Sequence, residues 1–381
     1  MIHTLKCPSC GAPLDYEDGS DAVSIRCPFC NNSVVVPETL RKARNTFAPS
    51  SSYGKKAGPA HGFIFYLVII FAVLFVATFA LTRLFRSAPP INTTPPPRRV
   101  NFPPTPRGKA TPEEPGFAQL LLKFGSEGIG PGLFNDSRSI TLDGAGRIYV
   151  GDYTGGRIQV FDAEGKFITQ WMADTKMPLR GLAADRAGVV YVVQSGEIRR
   201  YEGATGKLLG KLAFAGGWGF DDVIVTADGG LLAAWYKGSD DIVRFDSGGS
   251  VTKVIRKAIS GQTDRSELDH RVAMDGLGNI YALGTFNAAV FKFTPEGRFV
   301  TKFGSGGDQP GQFHAPDAIA VDGQGRVYVS DIKGVQVFDA DGRLIDRFQP
   351  DGIAFGMVFN DSNELFIASR SHVLKYAVKK P

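Results

Sequence analysis

Two sets of residues in this 381-residue chain have types and spacings that could do chemistry. The first is Cys7, Cys10, Cys27 and Cys30, which are all of its cysteines. Two C-x2-C pairs about sixteen residues apart have the spacing of a four-thiolate zinc site. Each pair forms a tight knuckle that aims two sulfurs at one point. Pro8 and Pro28 stiffen these turns, and Gly11 and Asn31 tolerate a left-handed backbone just beyond them. Two disulfides are the competing reading, but paired knuckles favour metal. Four protein ligands leave no open position, so the zinc expected here is structural. In a segment this small, metal binding would supply much of the stability.

The second set is Arg138, Arg180, Asp222, His270, Asp317 and Phe355. Each stands five residues before a repeated position occupied by Asp143, Asp185, Ala227, Asp275, Asp322 and Asn360. If the repeats close into a ring, these six residues surround its central channel. The two arginines could clamp a carboxylate, a phosphate or an acidic sugar, because guanidinium forks suit bidentate recognition. Asp222, His270 and Asp317 could hold a divalent metal through carboxylate oxygens and a ring nitrogen. The same residues could instead pair with one another, Arg180 with Asp222 being an ordinary salt bridge.

The elements that must position this second set are short strands. The stretch AIAVDGQGRVYVSDIKGVQVFDADGRLIDRF, from Ala318 to Phe348, alternates apolar and polar residues between Gly/Asp turns. That is the pattern of a four-stranded antiparallel meander. Copies begin at Ser139, Arg180, Asp222 and Arg271, and a shorter one with three strands begins at Gly356. Gly146, Gly188, Gly230, Gly278, Gly325 and Asn363 mark the register, about 40 to 48 residues apart, which is a propeller-blade period. Phe117 to Phe124 (FAQLLLKF) has the alternation of the strand that the last copy lacks. Its pairing there would close a ring and leave few free edges. A solenoid would need no such orphan strand. The reading is therefore an all-β, six-bladed propeller over 117–381, closed by an N-terminal strand.

The stretches PGQFHAPDAIAVDGQGRVYVSDIKGVQVFDADGRLIDRF and FGSEGIGPGLFNDSRSITLDGAGRIYVGDYTGGRIQVFDAEGKFITQWM resemble NHL repeats. The resemblance implies a six-bladed propeller used mostly as a binding platform, with a minority of enzymes that use metal ligands around the channel as lactonases or amide-cleaving lyases. In the lyases histidines form that cluster, whereas this ring offers His270 alone. His314 and His372 read as loop residues. Residues 1–37 resemble a short zinc ribbon of the kind that begins CPSCGAPL. Some NHL proteins also carry a RING-type ligase domain, which needs eight ligands around two zincs. Four cysteines with His3 and His61 do not supply them.

Between ribbon and propeller the composition shifts twice. Residues 38–62 form a basic linker with Arg41, Lys42, Arg44, Lys55 and Lys56, suited to anionic lipid beside a membrane. Residues 63–82, FIFYLVIIFAVLFVATFALT, are twenty uncharged residues, long enough to cross a bilayer core as one helix. Arg83 and Arg86 stop the span. Residues 83–116 are rich in proline, which favours a semi-rigid polyproline stalk over a ligand for proline-binding domains. Flanking charge is close to a tie, so cysteine use sets the expected orientation. Thiolates belong in a reducing cytoplasm, and the cysteine-free propeller belongs outside it.

The formal net charge of +5 resides in these linkers. From Phe117 onward 30 Lys/Arg face 31 Asp/Glu, so no basic excess marks the propeller as a nucleic-acid binder. No Walker loop, H-E-x-x-H or G-x-S-x-G is present. Trp171, Trp218 and Trp235 could line a sugar-binding surface, although packing is the commoner use. The expected function is that of a single-pass membrane protein whose propeller binds a protein or an extracellular small or saccharide ligand. The alternative is a metal-dependent hydrolase or lyase with a second divalent metal at the channel mouth.

Overall fold

The computed structural model describes four N-terminal strands and residues 116–379. The N-terminal strands form two hairpins, Ile2–Lys6 with Pro13–Glu17 and Ser24–Arg26 with Ser33–Val35. Cys7, Cys10, Cys27 and Cys30, the linkers and residues 63–82 lie outside the described residues. Among the described residues no helix is long and apolar enough to cross a membrane.

Residues 116–379 fold into six four-stranded antiparallel sheets. Five are consecutive meanders. The sixth takes Gly356–Phe359, Glu364–Ser369 and His372–Val378 from the end of the sequence, and Ala118–Phe124 supplies its outer strand. Val373 pairs with Phe124 and Val378 with Ala118 in this closure. The expected six-bladed ring and its closing strand are both present.

The middle strands read as unbroken apolar runs because they are covered on both faces. Ile148–Asp152 and Arg157–Phe161 are buried throughout, whereas the outer strand Phe167–Met172 alternates toward solvent. Side chains of neighbouring sheets share each core cluster. At the closure, Phe134, Ile140, Val150 and Phe161 of blade 1 pack on Phe366, Ala368 and Val373 of blade 6. Burying side chains of this size contributes about 1.5 to 3 kcal/mol each, which is what holds the ring shut between blades that share few backbone hydrogen bonds.

In blades 1, 2, 4 and 5 the turn between the first and second strands is built around one aspartate, and in blade 6 around Asn360. In blade 1, Asp143 Oδ1 accepts from the backbone N–H of Ala145 and Arg147, at 2.9 and 3.0 Å. Its Oδ2 accepts from Arg147 Nε at 2.6 Å and Tyr149 Oη at 2.9 Å. Blade 5 repeats this with Asp322, Arg326 and Tyr328, and blade 4 with Asp275, Asn279 and Tyr281. Gly146 and its counterparts sit at positive φ, which is why glycine or asparagine recurs there. Blade 3 departs from the sequence-derived register by one residue. Gly229, at φ 77°, is its turn glycine instead of Gly230, and Thr226 occupies the acid position instead of Ala227.

Candidate functional site at the channel mouth

Loops entering the first strand of each blade, and turns between second and third strands, lie together at one end of the channel. Glutamines on third strands pin two of these loops. Gln159 Oε1 accepts from Gly132 N at 2.8 Å, and its amide donates to the Leu133 carbonyl at 2.7 Å. Gln336 holds Gly311 and Gln312 in the same way. Two glycines let the phenylalanines of these loops tuck under the blades, because a Cβ at Gly125 or Gly304 would meet the ring of Phe134 or Phe313 at 2.3 Å.

The channel encloses a cavity of about 300 Å3. Five of the six sequence-derived residues line it: Arg138, Arg180, Asp222, Asp317 and Phe355. His270 does not. It is fully buried, and its Nε2 lies 3.2 Å from the Asp241 carbonyl oxygen. Burial pushes its pKa down, so it is a neutral core histidine. Its neighbour Arg271 lines the channel instead, with Asp269 and Tyr153.

A register difference places Arg271 there. The first strands of blades 1, 2 and 3 carry a bulge between Ser137 and Ser139, Leu179 and Gly181, and Phe220 and Asp222. His270–Met274 pairs regularly, with His270 opposite Gly284 and Arg271 opposite Leu283. One residue more or less exchanges the two faces of a strand.

Blades 6, 1 and 2 contribute cations to the mouth. Arg138 donates from Nε and Nη2 to Asp136 at 2.8 to 3.1 Å. Its guanidinium carbon also lies 4.3 Å from the centre of the Tyr153 ring and 5.0 Å from that of Phe355, a range in which cation–π attraction operates. Arg370 of blade 6 stands 5.1 Å from the same Phe355 ring. Arg180 Nε donates to Asp221 Oδ1 at 2.8 Å. The sequence suggested Asp222 as that partner. Asp221 takes the role because the one-residue register change in blade 3 makes it the counterpart of Arg138 and Arg180.

Blades 3, 4 and 5 contribute acids around Arg271. Its Nη1 donates to the Asp221 carbonyl at 3.2 Å and its Nε to the Asp317 carbonyl at 3.3 Å. Its Nη2 lies 3.5 Å from Asp269 Oδ1 and 3.9 Å from Asp317 Oδ1. Burial disfavours this cation, but Asp269, Asp222 and Asp317 outweigh the cost and raise its pKa. Asp222 Oδ2 accepts from Val272 N at 3.0 Å, and burial pushes its carboxyl up to about 6. Burial raises Asp317 as well, against the pull of Arg271. A guanidinium therefore occupies the centre of the acid arc. Among the described residues, no group of three His, Cys, Asp or Glu side chains is arranged to hold a metal ion, and Asp222, His270 and Asp317 do not form one.

Outside the cavity, exposed apolar side chains rim this face: Ile129, Met177, Trp218, Leu268, Phe286 and Ile332. They come from mouth loops of five successive blades. Lys237 Nζ covers one face of Trp218 at 4.1 Å. Trp171 and Trp235 are buried packing residues, Trp171 donating to the Gly203 carbonyl at 2.9 Å. His314 pairs with Asp308 at 3.3 Å in an exposed loop, and His372 Nε2 lies 2.8 Å from the Asp351 carbonyl oxygen. Neither belongs to the cavity.

Fold and site together define a closed six-bladed β-propeller with a charged channel mouth. No protein-family model matches the chain. It is 45% identical over 53 residues to human NHL repeat-containing protein 3, and 44% identical over 53 residues to the mouse protein of that name. The human match spans 14% of this chain and 15% of that protein. Among solved structures, a gluconolactonase from Xanthomonas campestris superposes with a TM-score of 0.51 at 18% identity, over 68% of this chain and 99% of that one. A protein of unknown function from Bacteroides thetaiotaomicron gives 0.52 at 17%, over 67% and 72%. At these identities the likeness is one of fold.

Proposed function

We propose that this chain is a single-pass membrane protein whose propeller is a recognition module, with its channel mouth as the binding face. The observation that carries the reading is the mouth itself, a charged cavity encircled by exposed apolar residues from five blades. Apolar side chains left exposed around a charged cavity support its use as an interaction site. The chain enters the propeller at the opposite end. Phe117 packs 5.2 Å from Arg326 and 6.2 Å from Tyr328, beside a turn of the far face. Residues 83–116 are proposed as a stalk and 63–82 as the membrane span, with the propeller outside the cytoplasm.

The N-terminal segment is proposed as a structural zinc ribbon on the cytoplasmic side. Its support is chain order. Cys7 and Cys10 fall between the strands of the first hairpin, and Cys27 and Cys30 between those of the second, as the knuckles of a ribbon do.

Three measurements on the full chain test this reading. Elemental analysis should find one zinc per chain, lost in Cys7→Ser. Protease added outside sealed cells should remove the propeller and spare the ribbon. A photo-crosslinking residue at the position of Trp218 should yield adducts, whereas one at the exposed Leu277 of the opposite face should not. Equal adducts from both positions would sink the mouth as the binding face.

One observation favours an enzyme as the second reading. Asp222 is a cavity carboxyl with its pKa pushed up to about 6, which suits a general acid or base near neutral pH. The fold likeness to a gluconolactonase suggests lactones as first substrates to try. Lactone opening by the full chain, abolished in Asp222→Asn, would make this the leading reading.

A further inference from the structure

The mouth is electrically divided. Arg138 and Arg180 line one side, and Asp222, Asp269 and Asp317 the other. Internal ion pairs leave specific atoms unused. Arg180 engages Asp221 through Nε alone, so its two terminal nitrogens make no hydrogen bond among the described residues, although the side chain is one-third exposed to the channel. Arg138 likewise keeps Nη1 free beyond its contact with Asp136. Facing them, the Asp317 carboxylate accepts no hydrogen bond and meets Arg271 only at 3.9 Å. Asp269 Oδ1 is shielded from solvent and also lacks a hydrogen bond.

A single-charge ligand would satisfy half of this set. An anion would suit Arg180 and then face three carboxylates. An amine would suit the acids and then face two guanidiniums. Arg271 already neutralises part of the acid arc, so the site does not need a metal ion to offset it.

Resting on the reading of the mouth as a recognition site, we propose that the channel takes a small zwitterion of the α-amino acid class, its carboxylate toward Arg138 and Arg180 and its ammonium toward Asp222 and Asp317. The guanidinium fork of Arg180 is free for the bidentate geometry that carboxylates prefer. A cavity of about 300 Å3 accommodates a molecule of this size. An arriving ammonium also stabilises the charged form of Asp222, so affinity should fall as the pH drops below about 6.

The test is calorimetric titration of the full chain in detergent with each of the common L-amino acids, then with propionate and ethylamine as single-charge probes. At least one amino acid should bind, and both single-charge probes should bind about tenfold or more weakly, as expected when one charge-assisted contact is lost. Arg180→Gln and Asp317→Asn should each lower amino-acid affinity by a similar factor. Asp317 accepts no side-chain hydrogen bond, so its amide variant should still unfold in a single cooperative urea transition. That separates loss of binding from loss of fold.

Propionate binding as tightly as any amino acid, with Asp317→Asn silent, would overturn the zwitterion while leaving the mouth a recognition site. Absence of binding by every amino acid would also overturn it. The recognition reading would fall separately, through equal crosslinking from the positions of Trp218 and Leu277.

Discussion

Arg180 Nε donates a 2.8 Å hydrogen bond to Asp221 Oδ1, and this contact ties blade 2 to blade 3 at the rim of the channel. The bond leaves the end of the guanidinium open toward the cavity. Asp221 is almost fully buried, and its second oxygen has no hydrogen-bond partner among the described residues. Burial and the nearby Asp269 charge raise its pKa, against Arg271 and Arg180.

Asp221 therefore depends on its cations. Arg180→Ala should destabilise the propeller by about 3 kcal/mol, because it leaves a buried carboxylate short of a partner. Arg180→Ala combined with Asp221→Asn should recover much of that loss. Urea unfolding of the two variants against the parent checks the difference.

The turn acids should rank by the bonds they hold. Asp143 accepts four hydrogen bonds, including the buried Tyr149 hydroxyl, so Asp143→Ala should cost about 3 kcal/mol or more. Asp185, at the same position in blade 2, has Val189 where blade 1 has Arg147, and its carboxylate accepts from Val189 N at 2.9 Å. Asp185→Ala should cost about 1 to 2 kcal/mol. Tyr191 faces Asp185 as Tyr149 faces Asp143, so equal losses would show that the Arg147 contact contributes little.

The raised Asp222 pKa fixes a sign for pH dependence. Its folded value of about 6 lies above the ordinary 3.8, so between these values the native state holds more of the proton. Stability contributed by this group is present at low pH and declines as pH rises through that window. Asp222→Asn removes the titration and can keep the bond from Val272 N. The variant should match the parent near pH 4 and exceed it by about 2 kcal/mol at pH 7. Urea midpoints at the two pH values decide this, and a constant difference would show that Asp222 is not perturbed.

His270 should behave as a core residue. His270→Ala removes a fully buried ring and its contact to the Asp241 carbonyl, at a cost of about 2 to 4 kcal/mol. Ligand affinity at the mouth should change less than twofold while the protein remains folded. Arg271→Met, by contrast, should alter both, since Arg271 lines the cavity and bonds blades 3 and 5.

Closure is testable by separation. A propeller beginning after Phe124 lacks the strand paired with His372–Val378 and exposes a long edge. It should lose cooperative unfolding and aggregate. A synthetic peptide covering residues 116–125, added in trans, should restore a single transition.

Much of this was written locally. Alternating strands, the turn acids with their glycines and the period of about 40 residues determine six meanders, because each signal depends on neighbours within one hairpin. The closing strand was legible too, since Phe117 to Phe124 alternates like an outer strand and one copy lacks that strand. The channel residues of blades 1, 2, 5 and 6 followed from the same register. In blade 3 the register found Asp222, which lines the cavity, but missed Asp221 as the partner of Arg180, and in blade 4 it missed Arg271. Near Ala227 the repeat is too degenerate to distinguish it from Thr226, and one residue separates Asp221 from Asp222. In blade 4 the absence of a bulge turns His270 into the core and Arg271 into the channel. A bulge is decided by how a strand packs against its neighbours across the ring, and a change of one residue exchanges its faces. The sequence by itself determined a six-bladed ring and roughly where its channel residues would lie. Only the tertiary structure decided that a guanidinium, and not an imidazole, stands among the acids.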